Sequence, residues 1–252
     1  MKIGILISIR EKSTRYPGKV LKKIGDRTVT EHLIDRLKLS KGFDQLIIAT
    51  SDDPRDKVFE EFANLKKIDI YFGDREDKLL RYLQICDNFN LDAVVIVDGD
   101  DILCFPEIVS RTINKLKKDD CDVVFWENLP LGAASSGLTK KALEKVMNLK
   151  AESDTEVWGG YFTNQYFKVA RLKSDSEIFN YPKIRLTLDY KDDYDLFEKI
   201  FAHFGYNNNF DSEELMQLLV NIKPELNEIN KKAQLQYEEH IKKATTVKLK
   251  EN

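Results

Sequence analysis

Short runs of apolar, β-branched residues recur along the first half of the chain, separated by longer stretches in which apolar residues fall every three or four positions. Ile3 to Ile7, Gln45 to Thr50, Ile68 to Phe72, Ala93 to Val97 and Val123 to Trp126 have the length and composition of strands buried on both faces. Val29 to Leu39, Asp56 to Leu65, Lys78 to Phe89 and Pro106 to Lys117 have helical period, as Leu79, Leu80, Leu83 and Cys86 illustrate. Pro106 suits a first helical turn, and Lys115, Lys117 and Lys118 suit the negative end of the same helix. The alternation predicts an α/β fold with a doubly wound, mainly parallel sheet.

After Trp126 the rhythm changes. Gly132, Ser135, Ser136 and Gly137 precede a helical stretch from Lys140 to Lys150 and an aromatic-rich one from Trp158 to Phe167. These features predict an insertion over about residues 127–183 that covers the open edge of the sheet on the acceptor side. A last strand is expected at Ile184 to Leu188, then a helix from Asp192 to Phe204. Residues 1–211 are expected to form the main domain and residues 212–252 a helical extension that frays from Ile241.

The chain has 252 residues, 42% of them hydrophobic and 33% charged, enough to bury a full core. Its 43 acidic and 40 basic residues leave a net charge of −3, so there is no global positive field for a nucleic acid partner. Cys86, Cys104 and Cys121 lack the spacing of a zinc site or a disulfide framework, which favours a reducing cytoplasm. The apolar run at the N-terminus is too short for a signal peptide, and no segment reaches the roughly 18 apolar residues of a membrane span, so no membrane partner is expected.

In doubly wound sheets ligands bind beyond the carboxyl ends of the strands. Polar residues concentrate there: Arg10 to Lys19, Ser51 to Asp53, Asp98 to Asp101, and Asp189. Arg10, Lys12, Arg15 and Lys19, with interleaved hydroxyls and Gly18, suit a polyphosphate, although the loop is neither a Walker A sequence nor a dinucleotide fingerprint. Taken alone it reads equally well as a solvated charged loop. Asp98-Gly99-Asp100-Asp101 and Asp189 place carboxylates where a hard cation bridging phosphates needs oxygen ligands, the plain alternative being acidic turns. Asp100 and Asp189 each follow a run read as a strand of one parallel sheet, so they are expected to converge on one ion.

Ser13 to Leu21, followed by Gly25 and His32, resembles the opening of the cytidylyltransferases that activate acidic sugars, the acylneuraminate and 3-deoxy-manno-octulosonate types, and above all their spore-coat-polysaccharide-type relatives. The resemblance continues through Ile48 to Asp53, Gly73 to Tyr82, Gly99-Asp100 with Pro106-Glu107-Ile108, and Arg185 to Asp189 with Asp192 to Leu196. It implies a Rossmann-like nucleotidyltransferase fold and magnesium-dependent transfer of CMP from CTP to a small acidic metabolite, with release of pyrophosphate, in the synthesis of surface polysaccharide precursors. Arg10, Arg15 and Lys19 would bind the triphosphate and serve catalysis, with Ser8, Ser13 and Asp98 also at the nucleotide. Asp100 and Asp189 would hold magnesium, while Ser51, Asp52 and Arg81 would lie near the base or ribose. After Gly99-Asp100 this chain has Asp101-Ile102-Leu103 where the relatives usually carry a small residue and proline, and it lacks the acceptor motifs of the sugar-acid synthetases. The acceptor is therefore open between a sugar acid and a phosphorylated small molecule.

Trp126, Trp158 and Tyr161 are candidates for an acceptor wall, the alternative being core aromatics, and Arg171, Lys173 and Arg185 for a clamp on an acidic acceptor. His32 and His203 read as packing or surface residues, and the charged tail as a solvated face or a homodimer contact. Two other functions fit parts of the pattern. Asp98-Gly99-Asp100 also reads as the DxD metal site of a nucleotide-sugar-dependent glycosyltransferase, which would need fewer cations in the first loop. A non-catalytic nucleotide-binding subunit would not need Arg10, Lys19, Asp100 and Asp189 together.

Overall fold

The computed structural model describes residues 1–208, 210–244 and 247–250, the side chains of 241–244 excepted. In chain order the elements are β1 (Ile3–Ser8), the small hairpin β2 (Lys23–Ile24) and β3 (Arg27–Thr28), α1 (Val29–Leu37), β4 (Gln45–Ser51), α2 (Phe59–Lys66), β5 (Asp69–Gly73), α3 (Lys78–Phe89), β6 (Ala93–Asp98), α4 (Pro106–Lys118), β7 (Val123–Trp126), β8 (Ser136–Thr139), α5 (Lys140–Leu149), β9 (Val169–Leu172), α6 (Lys191–His203), α7 (Ser212–Gln217) and α8 (Lys231–Ala244). Helix starts follow local chemistry. Thr28 and Glu31 form a reciprocal capping box on α1, Asp77 accepts the Leu80 N–H at the start of α3, and Pro106 opens α4.

The period-two alternation of the central strands divides the interior in two. Ile3, Ile5 and Ile7 of β1 and Val95 and Val97 of β6 face the layer formed by α1, α2, α4 and α6. Leu6, Ile47, Val94 and Ile96 face α3, α5 and the aromatic cluster of Trp158, Phe162 and Phe167. The seven-stranded sheet has the order β5-β4-β1-β6-β8-β7-β9. Strand order reverses between β1 and β6, so their carboxyl ends flank an open crevice. Ser8 and Asp98 are partners across that pair. Gly99 is required there, because a Cβ would lie 2.4 Å from Ile9.

The fold is therefore Rossmann-like, but its sheet is mixed. Strand β8 runs antiparallel to both β6 and β7, while the remaining pairings are parallel. The segment expected to cover the sheet edge supplies strands to it, β8 directly beside β6 and β9 outermost. The strand expected at Ile184 to Leu188 is absent from the sheet. Its backbone is satisfied by loops instead: Leu186 donates to the Leu131 carbonyl (2.6 Å) and Leu188 to the Asp100 carbonyl (3.0 Å), with one isolated bridge between Leu131 and Arg185. Residues beyond 211 bury Leu215, Met216, Leu218, Leu219 and Leu226 in the same core as α1 and α4. His32 packs against Phe201, and Lys248 and Lys250 pair through their backbones with Ala151 and Leu149. The expected fraying thus does not extend to these two residues, while positions 245, 246, 251 and 252 lie outside the described residues. No helix among the described residues is long and apolar enough to cross a membrane.

The loop-to-loop seam that replaces the missing strand depends on Gly132. Its φ is +91°, and a Cβ would lie 2.6 Å from the Leu186 carbonyl carbon and oxygen. Gly132→Ala should destabilise the protein by about 2 kcal/mol or more. Chemical denaturation measures this, and a loss below about 0.5 kcal/mol, the range of an indifferent surface change, would contradict the packing of this seam.

Candidate active site

A cleft of about 700 Å³ opens beyond β1 and β6. The loop after β1 contributes Arg10, Ser13, Arg15 and Lys19, the strand ends contribute Ser8, Asp98 and Asp100, and the segment before α6 contributes Asp189. All of these were expected at the nucleotide or the metal from the sequence, and they share one cavity.

Lys19 lies deep in it, only 6% exposed, beside Asp189 at 2%. The Nζ donates to Asp100 Oδ2 (2.6 Å) and Asp189 Oδ1 (3.0 Å), so carboxylates from two distant segments meet on one ammonium. Burial alone would push the Lys19 pKa down, but Asp100 and Asp189 more than offset this and hold it above the ordinary value. Asp189 is similarly balanced: burial raises its pKa, while Lys19 and Arg15 bring it below the usual carboxylate value. The Arg15 guanidinium also pairs directly with Asp189. Burial, reinforced by Asp100 and Asp98, pushes the Asp101 carboxyl well up. Asp98, half exposed to the cleft, is raised by its protein surroundings and by Asp100, with Lys78 opposing.

At the other wall, Glu156 Oε2 pairs with Arg10 and Oε1 with Lys78 Nζ (3.1 Å), which also faces Asp98 at 3.8 Å. Burial would raise the Glu156 pKa, but Lys78 and Arg10 bring it down, so it is a carboxylate. The next residue back, Thr155, accepts the Leu79 N–H (3.2 Å) and donates to Asp77 (3.1 Å), where Lys150 also pairs. This ties the loop of Glu156 to the start of α3.

The other expected site residues lie outside the cleft lining, with the exception of Trp158. Ser51 is buried and donates to Asp56 Oδ2 (2.5 Å), whose other oxygen accepts the Glu11 N–H (2.7 Å), so it supports the loop from behind. Asp52 pairs with Arg75 at the surface (2.6 Å). Arg81 is fully buried, and its guanidinium donates to the carbonyls of Asp74 (2.7 Å), Arg75 and Ala49. These three sit at β4 and α3, one strand away from the switch point. Tyr161 is buried in the aromatic cluster and Arg171 lies over the Phe125 ring. Arg185 is 3% exposed and is consumed by Asp193 (2.8 Å) and Asp189 (2.9 Å), while Asn230 donates to Asp193 (2.9 Å). It fixes Asp189 rather than facing an acceptor.

Sequence reasoning missed Lys78, Glu156, Tyr237 and His240, all of which line the cleft. The last two come from α8, and the Arg185 guanidinium lies 4.9 Å from the Tyr237 ring centroid. One local signal existed for Lys78: a cation in the first turn of a helix, with no acid there, opposes the helix dipole. The other three carried no local signal.

A cleft at the switch point of a doubly wound sheet, with cations on the loop after β1 and carboxylates at its strand ends, is that of a nucleotide-binding α/β protein. Residues 4–251 match the cytidylyltransferase family, and the chain belongs to it. It is similar to an uncharacterised protein of Methanocaldococcus jannaschii (32% identity over 91% of this chain and 95% of the relative). It is also similar to the spore coat polysaccharide biosynthesis protein SpsF of Bacillus subtilis (28% identity; 86% and 93% covered). Among solved structures, a cytidylyltransferase from Leptospira borgpetersenii superposes with a TM-score of 0.82 at 25% identity, covering 90% of this chain and 96% of the other. The chain is thus a CTP-using nucleotidyltransferase, which sets aside the glycosyltransferase and non-catalytic alternatives.

Because Arg185 neutralises two buried carboxylates, Arg185→Met should cost about 3 to 5 kcal/mol, the penalty of an uncompensated buried charge. Thermal or urea unfolding checks this. A variant with wild-type stability would mean that Asp189 and Asp193 do not depend on Arg185.

Proposed function

We propose that the protein transfers CMP from CTP to a small acidic acceptor, a sugar acid or a phosphorylated small molecule, with release of pyrophosphate and dependence on magnesium. The observation that carries this reading is the shared Lys19 ammonium between Asp100 and Asp189, beside Arg15. Polysaccharide precursor synthesis as the setting is supported by the likeness to SpsF. Three free cysteines agree with action in the cytoplasm.

No cage of three or more potential metal ligands exists among the described residues. Two carboxylates that already face one cation nevertheless fit magnesium, which takes one or two carboxylates and completes its shell with phosphates and water. Asp100 and Asp189 would hold it, and when bound it would neutralise charge on the leaving pyrophosphate and polarise the α-phosphate. Arg10, Arg15 and Lys19 bind the β- and γ-phosphates and stabilise the same developing charge through charge-assisted hydrogen bonds. Ser8, Ser13 and Asp98 contribute further polar contacts to the nucleotide. Trp158 from one wall, and Tyr237 and His240 from the other, border the remaining space, where the acceptor lies in line with the α-phosphate. An acceptor that is itself an anion needs no base, whereas a sugar hydroxyl requires one.

Pyrophosphate release assayed with CTP, UTP, ATP and GTP against sugar acids and phosphorylated metabolites should show turnover with CTP by a wide margin. Equal turnover with all four nucleotides would reject the base assignment. Lys19→Ala should lower turnover by the equivalent of about 2 to 4 kcal/mol in the barrier, and a near wild-type rate would reject phosphate binding by this loop.

Asp100→Asn and Asp189→Asn should each reduce magnesium-dependent turnover more than CTP binding. The double variant should be little worse than the worse single one, because both serve one ion. Additive losses would show that the two carboxylates act separately.

A further inference from the structure

We propose that Lys78 is a further phosphate-binding residue of the nucleotide site, and that Glu156 occupies its ammonium until nucleotide arrives. The inference rests on the CTP reading above and assigns both residues a part in it. Lys78 is the first residue of α3 and lines the cleft with its side chain 11% exposed. A cation at the positive end of a helix, largely withdrawn from water, is stable only beside anions. The anions it has are Glu156 at 3.1 Å and Asp98 at 3.8 Å.

Glu156 differs from Lys78 in being free to leave. Its side chain is 53% exposed, and it reaches into the cleft from a loop anchored one residue earlier, at Thr155. One carboxylate spans two cations, with Oε1 on Lys78 and Oε2 on Arg10, as two oxygens of a phosphate group can. Seven Asp and Glu side chains and five Lys and Arg side chains line the cleft. A polyphosphate entering it gains most where it displaces a carboxylate from cations, rather than adding its charge to those already present. Displacement frees Arg10 and Lys78 together and turns Glu156 toward water, and Trp158, two residues further on, borders the same cavity.

The two substitutions should act on affinity with opposite signs. Calorimetric titration of CTP and of inorganic pyrophosphate into the full-length protein is the measurement. Lys78→Met should weaken CTP binding about tenfold or more, the usual loss with one charge-assisted contact. Glu156→Gln, close in shape but uncharged, should tighten it about threefold or more by removing the competitor. The double variant, which lacks both the ammonium and its competitor but leaves Arg10 free, should bind more tightly than Lys78→Met and more weakly than Glu156→Gln, and it guards against poor folding of the Lys78 single variant. Pyrophosphate should follow the same signs, and cytidine binding should not change.

A purely structural ion pair predicts that both single variants lose affinity together or that neither changes it, and either result overturns the proposal. Pyrophosphate affinities that follow the expected signs across the variants, together with a wild type that binds UTP, ATP and GTP as tightly as CTP, would overturn the nucleotide assignment and leave the role of Lys78 standing. CTP binding without the sign reversal would do the opposite.

Discussion

The arrangement of the cleft depends on one constraint: a single buried ammonium, Lys19, must satisfy Asp100 and Asp189 at once. Charges removed from water have to be paired closely, so this contact fixes the relative position of three segments far apart in sequence. The sheet delivers Asp100 through β6. A second buried set, Arg185 with Asp193 and Asn230, delivers Asp189. The candidate active site is therefore a chain of opposite charges running inward from the cleft to α6 and α8, with each charge held by the next.

The same division of labour explains the corrections to the sequence reading. Central strands were legible because both of their faces enter a core, so each is a continuous apolar, β-branched run that local sequence carries in full. β8 was not, since Ser136–Thr139 is short and contains Gly137, and what makes it a strand is the free edge of β6. Ile184 to Leu188 has strand composition because it is buried, but its hydrogen bonds go to the Leu131 and Asp100 carbonyls. Asp189 consequently reaches Asp100 by a route that the strand reasoning did not foresee.

For the site, the residues on the loop after β1 and at the end of β6 were legible, because the switch point of a doubly wound sheet is a consequence of topology. Ser51, Asp52 and Arg81 were drawn to the neighbouring strand end, where they brace loops instead. Arg81 illustrates the difficulty: the resemblance put it near the base or ribose, yet its guanidinium is fully buried and every direction of its fork ends on a backbone carbonyl. Glu156 and Tyr237 belong to the cleft only through tertiary packing, and no spacing rule announces that.

The reversed strand β8 has a consequence during synthesis on the ribosome. β6 is almost wholly apolar, and its outer edge is covered by β8, not by the earlier-made β7, which pairs only with β8 and β9. Until Thr139 has left the exit tunnel, the nascent chain therefore carries a hydrophobic strand with an unpaired edge, the kind of surface that recruits other chains. The last strand to enter the middle of the sheet is the one that ends this exposure.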